Sequence, residues 1–77
     1  MDALYVKART WLNNATRQQI RMVMREGMFS RTQKESTLMR RKGITNQAIA
    51  IRLHCDIRTI DRECTKIYKM VTKIIAL

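Results

Sequence analysis

Apolar residues recur along this chain at helical spacing, and polar or turn-forming residues interrupt them at intervals. Leu4, Ala8, Trp11 and Leu12 share one face of a helix expected over residues 2–12, with Ala15 just beyond. Asp2 would sit at the positive end of its dipole. Asn13-Asn14 weakens the continuation, and Thr16-x-x-Gln19 has the form of a capping box, which predicts a fresh start. A second helix is expected over Arg17–Glu26, stopped by Gly27, with Ile20, Val23 and Met24 facing inward. Phe29 then stands as an apolar staple before Ser30-x-x-Gln33, a second capping box. It opens a third helix over Arg31–Lys42 that ends at Gly43, and Leu38-Met39 is its only strong apolar pair. The connection from Gly27 to Ser30 is the longest irregular one expected.

From Gly43 onward the pattern is sharper. Thr45 can cap a short helix on which Ile49, Ala50 and Leu53 fall on one face. His54-Cys55-Asp56 interrupts it, and Asp56 can cap the next helix by accepting from amides that lack an intrahelical partner. In that last helix Ile60, Cys64, Ile67, Val71 and Ile74 form an apolar stripe. Arg58, Arg62, Lys66, Lys69 and Lys73 lie on the opposite face. The pattern predicts an all-α fold, a small helical bundle containing a helix-turn-helix. It is read as one domain over residues 1–77: N-terminal helices to 28, the first helix of the module over 29–43, and the helix-turn-helix with its extended recognition helix over 44–77.

A helix-turn-helix needs a small residue where its helices cross and aliphatics to lock the corner. Ala50 supplies the first, and Ile49, Leu53, Cys55 and Ile60 supply the second. The alternative is an ordinary αα-hairpin whose basic face is merely solvated. Gly43-Ile44-Thr45-Asn46, Ile49-Ala50, Arg52-Leu53, Arg58-Thr59-Ile60 and Lys66-Ile67-Tyr68-Lys69 resemble the C-terminal DNA-binding domain of the LuxR/GerE family of bacterial transcription regulators. That family's pattern has a Gly, a Ser/Thr-Asn pair, an Ile-Ala pair, a Leu, a basic-Thr-Val/Ile triplet and an Ile-Tyr pair at this spacing. The preceding helix departs from it, with Ser36, Thr37, Arg40 and Arg41 where the family carries an aliphatic row. The family's short dimerisation helix after the recognition helix has no counterpart before Leu77. A sigma-factor region-4-like module has a similar helical outline.

Charge turns the pattern toward a partner. The net charge is +10, with ten basic against three acidic residues up to Gly43 and six against three after it. Such a surface seeks polyanions. Arg17, Arg21 and Arg25 recur every four residues, either as a solvated stripe or as a face for phosphates or an acidic protein. Arg40-Arg41-Lys42 either complements the negative end of its own helix dipole or contacts backbone phosphate. Met22, Met24, Met28, Met39 and Met70 read as gap-filling core. Cys55 and Cys64 have no further Cys or His at ligand spacing, so they read as small buried hydrophobes in a reducing cytosol; no metal or cofactor is expected. The opening residues do not form a signal peptide, and no apolar run approaches the roughly 20 residues of a membrane span. No membrane association and no small-molecule ligand are expected, and the location implied by the resemblance is the bacterial cytoplasm, on the nucleoid when bound.

No catalytic constellation appears: His54 lacks a nucleophile or carboxylate in pattern, and the glycines only punctuate helix ends. The reading is a sequence-specific regulator of transcription that binds double-stranded DNA. From helix geometry, Arg58, Asp61, Arg62 and Thr65 are placed to contact bases, with Asp61 either accepting from cytosine or orienting Arg58 or Arg62. Thr45, Asn46, Thr59, Lys66 and Lys69 suit phosphates. The resemblance supports Thr45, Asn46, Arg58, Thr59 and Lys66 in these roles. Met70, Ile74, Ile75 and Leu77 make an apolar end that would join a homodimer, unless the two ends of the chain pack on each other. The rival reading is a small basic adaptor that binds RNA polymerase or another regulator through the Arg17/Arg21/Arg25 stripe.

Overall fold

Among the described residues four helices gather around a fifth, the last in the chain. The computed structural model describes residues 3–75; Asp2, Leu77 and the side chain of Leu4 lie outside the described residues. The order is α1 (Ala3–Asn14), α2 (Arg17–Glu26), α3 (Arg31–Arg41), α4 (Asn46–Arg52) and α5 (Ile57–Ile75). The all-α expectation holds. The Cα radius of gyration is 11.6 Å, close to the ~11.5 Å of a compact chain this long.

The helix starts follow local chemistry. Both capping boxes form: Gln19 N donates to Thr16 Oγ1 at 3.2 Å while Thr16 N donates to Gln19 Oε1 at 2.8 Å, and Ser30 and Gln33 repeat the exchange. Thr45 Oγ1 accepts from Ala48 N, and Asp56 Oδ1 accepts from Arg58 N at 2.8 Å.

The helix ends follow one rule three times over. Each connection from α2 to α5 has four residues: Gly27-Met28-Phe29-Ser30, Lys42-Gly43-Ile44-Thr45 and Leu53-His54-Cys55-Asp56. The second residue of each is left-handed, with φ of 51° at Met28, 83° at Gly43 and 56° at His54. The third then donates back five residues, Phe29 N to Met24 O, Ile44 N to Met39 O and Cys55 N to Ala50 O, which is the Schellman arrangement. The fourth residue caps the next helix. Gly27–Ser30 is therefore no longer than its two successors.

Two expectations about those ends change. Gly27 is not the left-handed residue, since its φ is −81°. It is glycine because a Cβ there would meet the Phe29 ring at 2.6 Å. And α1 does not weaken at Asn13-Asn14 but runs through Asn14, because the Arg41 guanidinium donates to Leu12 O at 2.8 Å and Ala15 O at 2.9 Å. Carbonyls that a helix end would otherwise leave unsatisfied are thus supplied from α3.

Burial separates into two clusters on α5. Ala8, Leu12, Ala15, Ile20, Val23, Phe29, Ile67 and Val71 form the first, between α1, α2 and the later turns of α5. Ile49, Ala50, Ile60 and Cys64 form the second, between α4 and the earlier turns. Tyr68 packs on both, and its ring lies 6.1 Å from that of Tyr5. Burying each aliphatic fully stabilises by about 1.5–3 kcal/mol, so Ile49, Ile60 and Ile67 anchor both clusters.

α3 enters this core by an unexpected face. Leu38 is 46% exposed, and the residues α3 buries are Ser36 and Thr37. Their small side chains let α3 lie close to α5, and Thr37 Oγ1 donates to Gln33 O at 2.8 Å. Met24, Met39 and Met70 pack on the core as expected, but Met22 and Met28 are exposed. Met70, Ile74 and Ile75 are half-buried and lie against the first cluster, which includes Ala8 and Leu12 of α1.

Candidate nucleic-acid interface

The second cluster fixes how α4 meets α5. Ile49 and Ile60 are fully buried, Ala50 is 4% exposed, and Leu53, Cys55 and Ile44 close the edges. Ala50 packs in this cluster, and its carbonyl also accepts the Cys55 amide that ends α4. A larger side chain there would have to displace both.

With that face of α5 buried, the opposite face points outward. Arg58, Asp61, Arg62, Lys66 and Lys69 are exposed, and Thr65 is half-buried. Asp61, Arg62, Thr65, Lys66 and Lys69 line one shallow groove on the surface. Arg58 to Lys69 spans about 16 Å of helix axis at the standard rise. Thr45 is exposed at the head of α4, while Thr59 is half-buried.

Polar links across the corner were not legible in the spacing. Asn46 Nδ2 donates to Asp61 Oδ1 at 2.9 Å, and Cys64 Sγ donates weakly to Asn46 Oδ1 at 3.5 Å. Asn46 therefore ties the first turn of α4 to α5, where a phosphate contact was expected of it. Asp61 is held by this amide and forms no ion pair with Arg58 or Arg62 among the described residues. Thr65 Oγ1 donates to Asp61 O at 3.1 Å, which leaves the hydroxyl an acceptor. Lys66 lies 3.7 Å from Glu63, with the ammonium exposed and solvent-screened, a pair worth at most ~1 kcal/mol. Glu63 is held more firmly by Gln33 Nε2, at 2.9 Å. Gln33 thus caps α3 with its oxygen and tethers α5 with its nitrogen.

These links fix the positions of the acidic groups of the corner. Asp61 and Glu63 are both engaged by neutral amides, and Asp56 by the Arg58 backbone. The exposed cations Arg58, Arg62 and Lys69 have no carboxylate partner among the described residues. Burial pushes the Cys64 thiol above its ordinary 9.0, with the nearby Arg40 cation offsetting part of the rise. The thiol is accordingly neutral at physiological pH, a small apolar filler with a weak donor. Sequence reasoning also missed Ile51 and Ile57, which are 70% and 43% exposed beside the corner. Neither falls on the apolar faces read from the spacing, and both stand outside the second cluster.

No helix among the described residues is long and apolar enough to cross a membrane. Among the same residues no three His, Cys, Asp or Glu side chains gather as a metal-binding group. No protein-family model, curated protein or solved structure matches the chain.

Proposed function

We propose that the chain is a sequence-specific transcription regulator that binds double-stranded DNA, with α4 and α5 acting as a helix-turn-helix and α5 lying in the major groove. The observation that carries this is the division of α5: Ile60, Cys64, Ile67 and Val71 are buried on one side, and Arg58, Arg62, Lys66 and Lys69 are exposed on the other. A packed helix that offers guanidinium and ammonium groups along a straight, exposed face matches what a groove lined by phosphates and base edges requires. Arg58 and Arg62 are the base readers, since a guanidinium donates twice to a guanine edge. Lys66, Lys69, Thr59 and Thr45 hold phosphates. Ile57, exposed one residue before Arg58, offers apolar surface of the kind that meets a thymine methyl. Asn46 and Asp61 serve as a strut that sets the angle of α5. The resemblance of residues 43–71 to the LuxR/GerE DNA-binding domain, with its bacterial cytoplasmic setting, supports the same reading. A pair of chains on two half-sites would extend the few base pairs one short helix can read.

A titration of labelled duplex tests it. Affinity falls steeply as salt rises, by on the order of 10³ over a fourfold increase if about six to ten phosphates are neutralised. Arg62→Ala costs about 1–3 kcal/mol on a selected site and relaxes preference at one base pair, whereas Lys69→Ala weakens selected and random duplex alike. Salt-insensitive binding, or equal loss on both duplexes for Arg62→Ala, overturns the assignment.

One observation favours a second reading, an adaptor for an acidic protein face such as one on RNA polymerase. Arg17, Arg21, Arg41 and Lys42 surround Ile20, Met24 and Leu38 in an open groove between α2 and α3. A chain that captures protein through this groove and ignores duplex DNA would fit that alternative.

A further inference from the structure

Between α1, α3 and α5 lies a small cleft of about 40 Å³, separate from the outward face of α5. Arg9, Asn13, Ser36, Thr37, Arg40, Arg41 and Tyr68 supply its polar wall, and Leu12, Cys64 and Ile67 its apolar one. Of the ten arginines, seven are exposed; the three that are half-buried are Arg9, Arg40 and Arg41, and all three line this cleft. None of the three pairs with a carboxylate among the described residues, where the only ion pairs are Arg31 with Glu35 and Lys66 with Glu63.

The same cleft contains an unpartnered donor. Ser36 is fully buried, and its Oγ has no hydrogen-bond partner in the protein. A buried hydroxyl left unpaired costs about 1–3 kcal/mol, and three arginines line the cleft that contains it. Arg41 spends two of its five N–H donors on Leu12 O and Ala15 O, so donors remain on it. Arg9 and Arg40 donate to no protein acceptor among the described residues.

We propose that this cleft is a binding site for a small inorganic oxyanion of phosphate or sulfate size. Guanidinium groups from α1 and α3 neutralise it, and the Ser36 hydroxyl donates to one of its oxygens. A cleft of this volume holds more than one water, so a single tetrahedral anion fits where a nucleotide does not. The anion would bridge α1 to α3 at the place where Arg41 already joins them. It would steady the platform on which α5 rests, independently of whether α5 reads DNA.

Thermal unfolding of the full chain tests this in sodium sulfate and in sodium chloride at matched ionic strength. A chain of net charge +10 gains some stability from any multivalent anion, so the comparison rests on variants. Arg40→Gln removes a cleft cation and Arg17→Gln an exposed one, at equal cost in charge. The proposal expects a saturable rise in Tm with sulfate in the wild type and in Arg17→Gln, strongly reduced in Arg40→Gln and reduced in Ser36→Ala. Amide resonances of Ser36 and Thr37 should shift with sulfate along the same saturation curve, which keeps the test informative if Arg40→Gln is poorly folded. Equal, unsaturable responses in all four proteins mean general screening and overturn the proposal. So does a wild type whose Ser36 and Thr37 resonances ignore sulfate, the result for a cleft that holds only water.

Discussion

At the scale of single residues, neighbouring side chains divide the work of a turn in an order their types conceal. In Gly27-Met28 the glycine has an ordinary helical φ and the methionine takes the left-handed position at 51°. Glycine is there for room, since any Cβ would strike the Phe29 ring. At Gly43 the reverse holds: φ is 83° and nothing lies within 4 Å of where a Cβ would stand. Met28→Gly should therefore raise stability by about 0.5–1 kcal/mol, because relief of left-handed strain exceeds the added freedom of the unfolded chain. Gly27→Ala should lower it by about 1–3 kcal/mol through overpacking. Urea unfolding measures both, and a neutral Gly27→Ala would show that the Phe29 ring is free to move. Cys64 gives a prediction in pH. Its folded pKa is raised above 9.0 by burial, so its contribution to stability is complete below that value and is lost as pH climbs through the folded one. Unfolding followed from neutral pH upward should show a decline in the wild type beyond that in Cys64→Val, where the thiol is gone. Parallel curves would place the thiol in contact with water.

At the scale of elements, what the sequence made legible was local. Thr16-x-x-Gln19 and Ser30-x-x-Gln33 close as capping boxes because both partners lie within one turn, and spacing alone decides whether they meet. The apolar stripe of α5 was legible for the same reason: a period of 3.6 residues sets which side chains share a face. The buried face of α3 was not. Ser36 and Thr37 are buried because α3 approaches α5 closely, and that distance depends on helices far apart in the chain. Arg41 was open to two readings within its own neighbourhood, its own helix dipole or a phosphate; it stands in the last turn of α3 as the first requires, and it also makes two bonds that neither reading contained. Its partners are Leu12 O and Ala15 O, 29 and 26 residues earlier. Hydrogen bonds from a charged group contribute about 1.5–3 kcal/mol, so Arg41→Ala should destabilise by roughly that amount. Amide exchange should quicken first at the end of α1. Lys42→Ala, one residue on and exposed, should stay within about 0.5 kcal/mol of wild type. Equal melting of the two variants would mean that the Arg41 bridge contributes nothing in solution. The candidate site divides in the same way: the outward positions of Arg58, Arg62 and Lys69 were legible from period, whereas the Asn46–Asp61 strut joins residues 15 apart and had no local signal.

At the scale of the whole molecule, α5 is the common wall of two cores. Its first turns pack on α4 and its later turns on α1 and α2, with Tyr68 on the boundary. Over 19 residues, or about 28 Å, one helix thus transmits the packing of the chain's beginning to the corner. This arrangement bears directly on assembly. Met70, Ile74 and Ile75, which were expected to face a partner, are half-buried against the same chain's first cluster. A second chain reaching them would have only their remaining exposed surface to cover. Ile74→Glu then acts within one chain. Placing a carboxylate against the first cluster leaves it partly desolvated or forces the end of α5 away from that cluster, and either outcome lowers the melting temperature. Because the effect is intramolecular, the drop should be the same at low and high protein concentration, and sedimentation should show the variant and the wild type in the same oligomeric state. A drop that shrinks as concentration rises, together with a wild-type dimer that Ile74→Glu dissociates, would show instead that this end of α5 leaves its own core to pair with another chain.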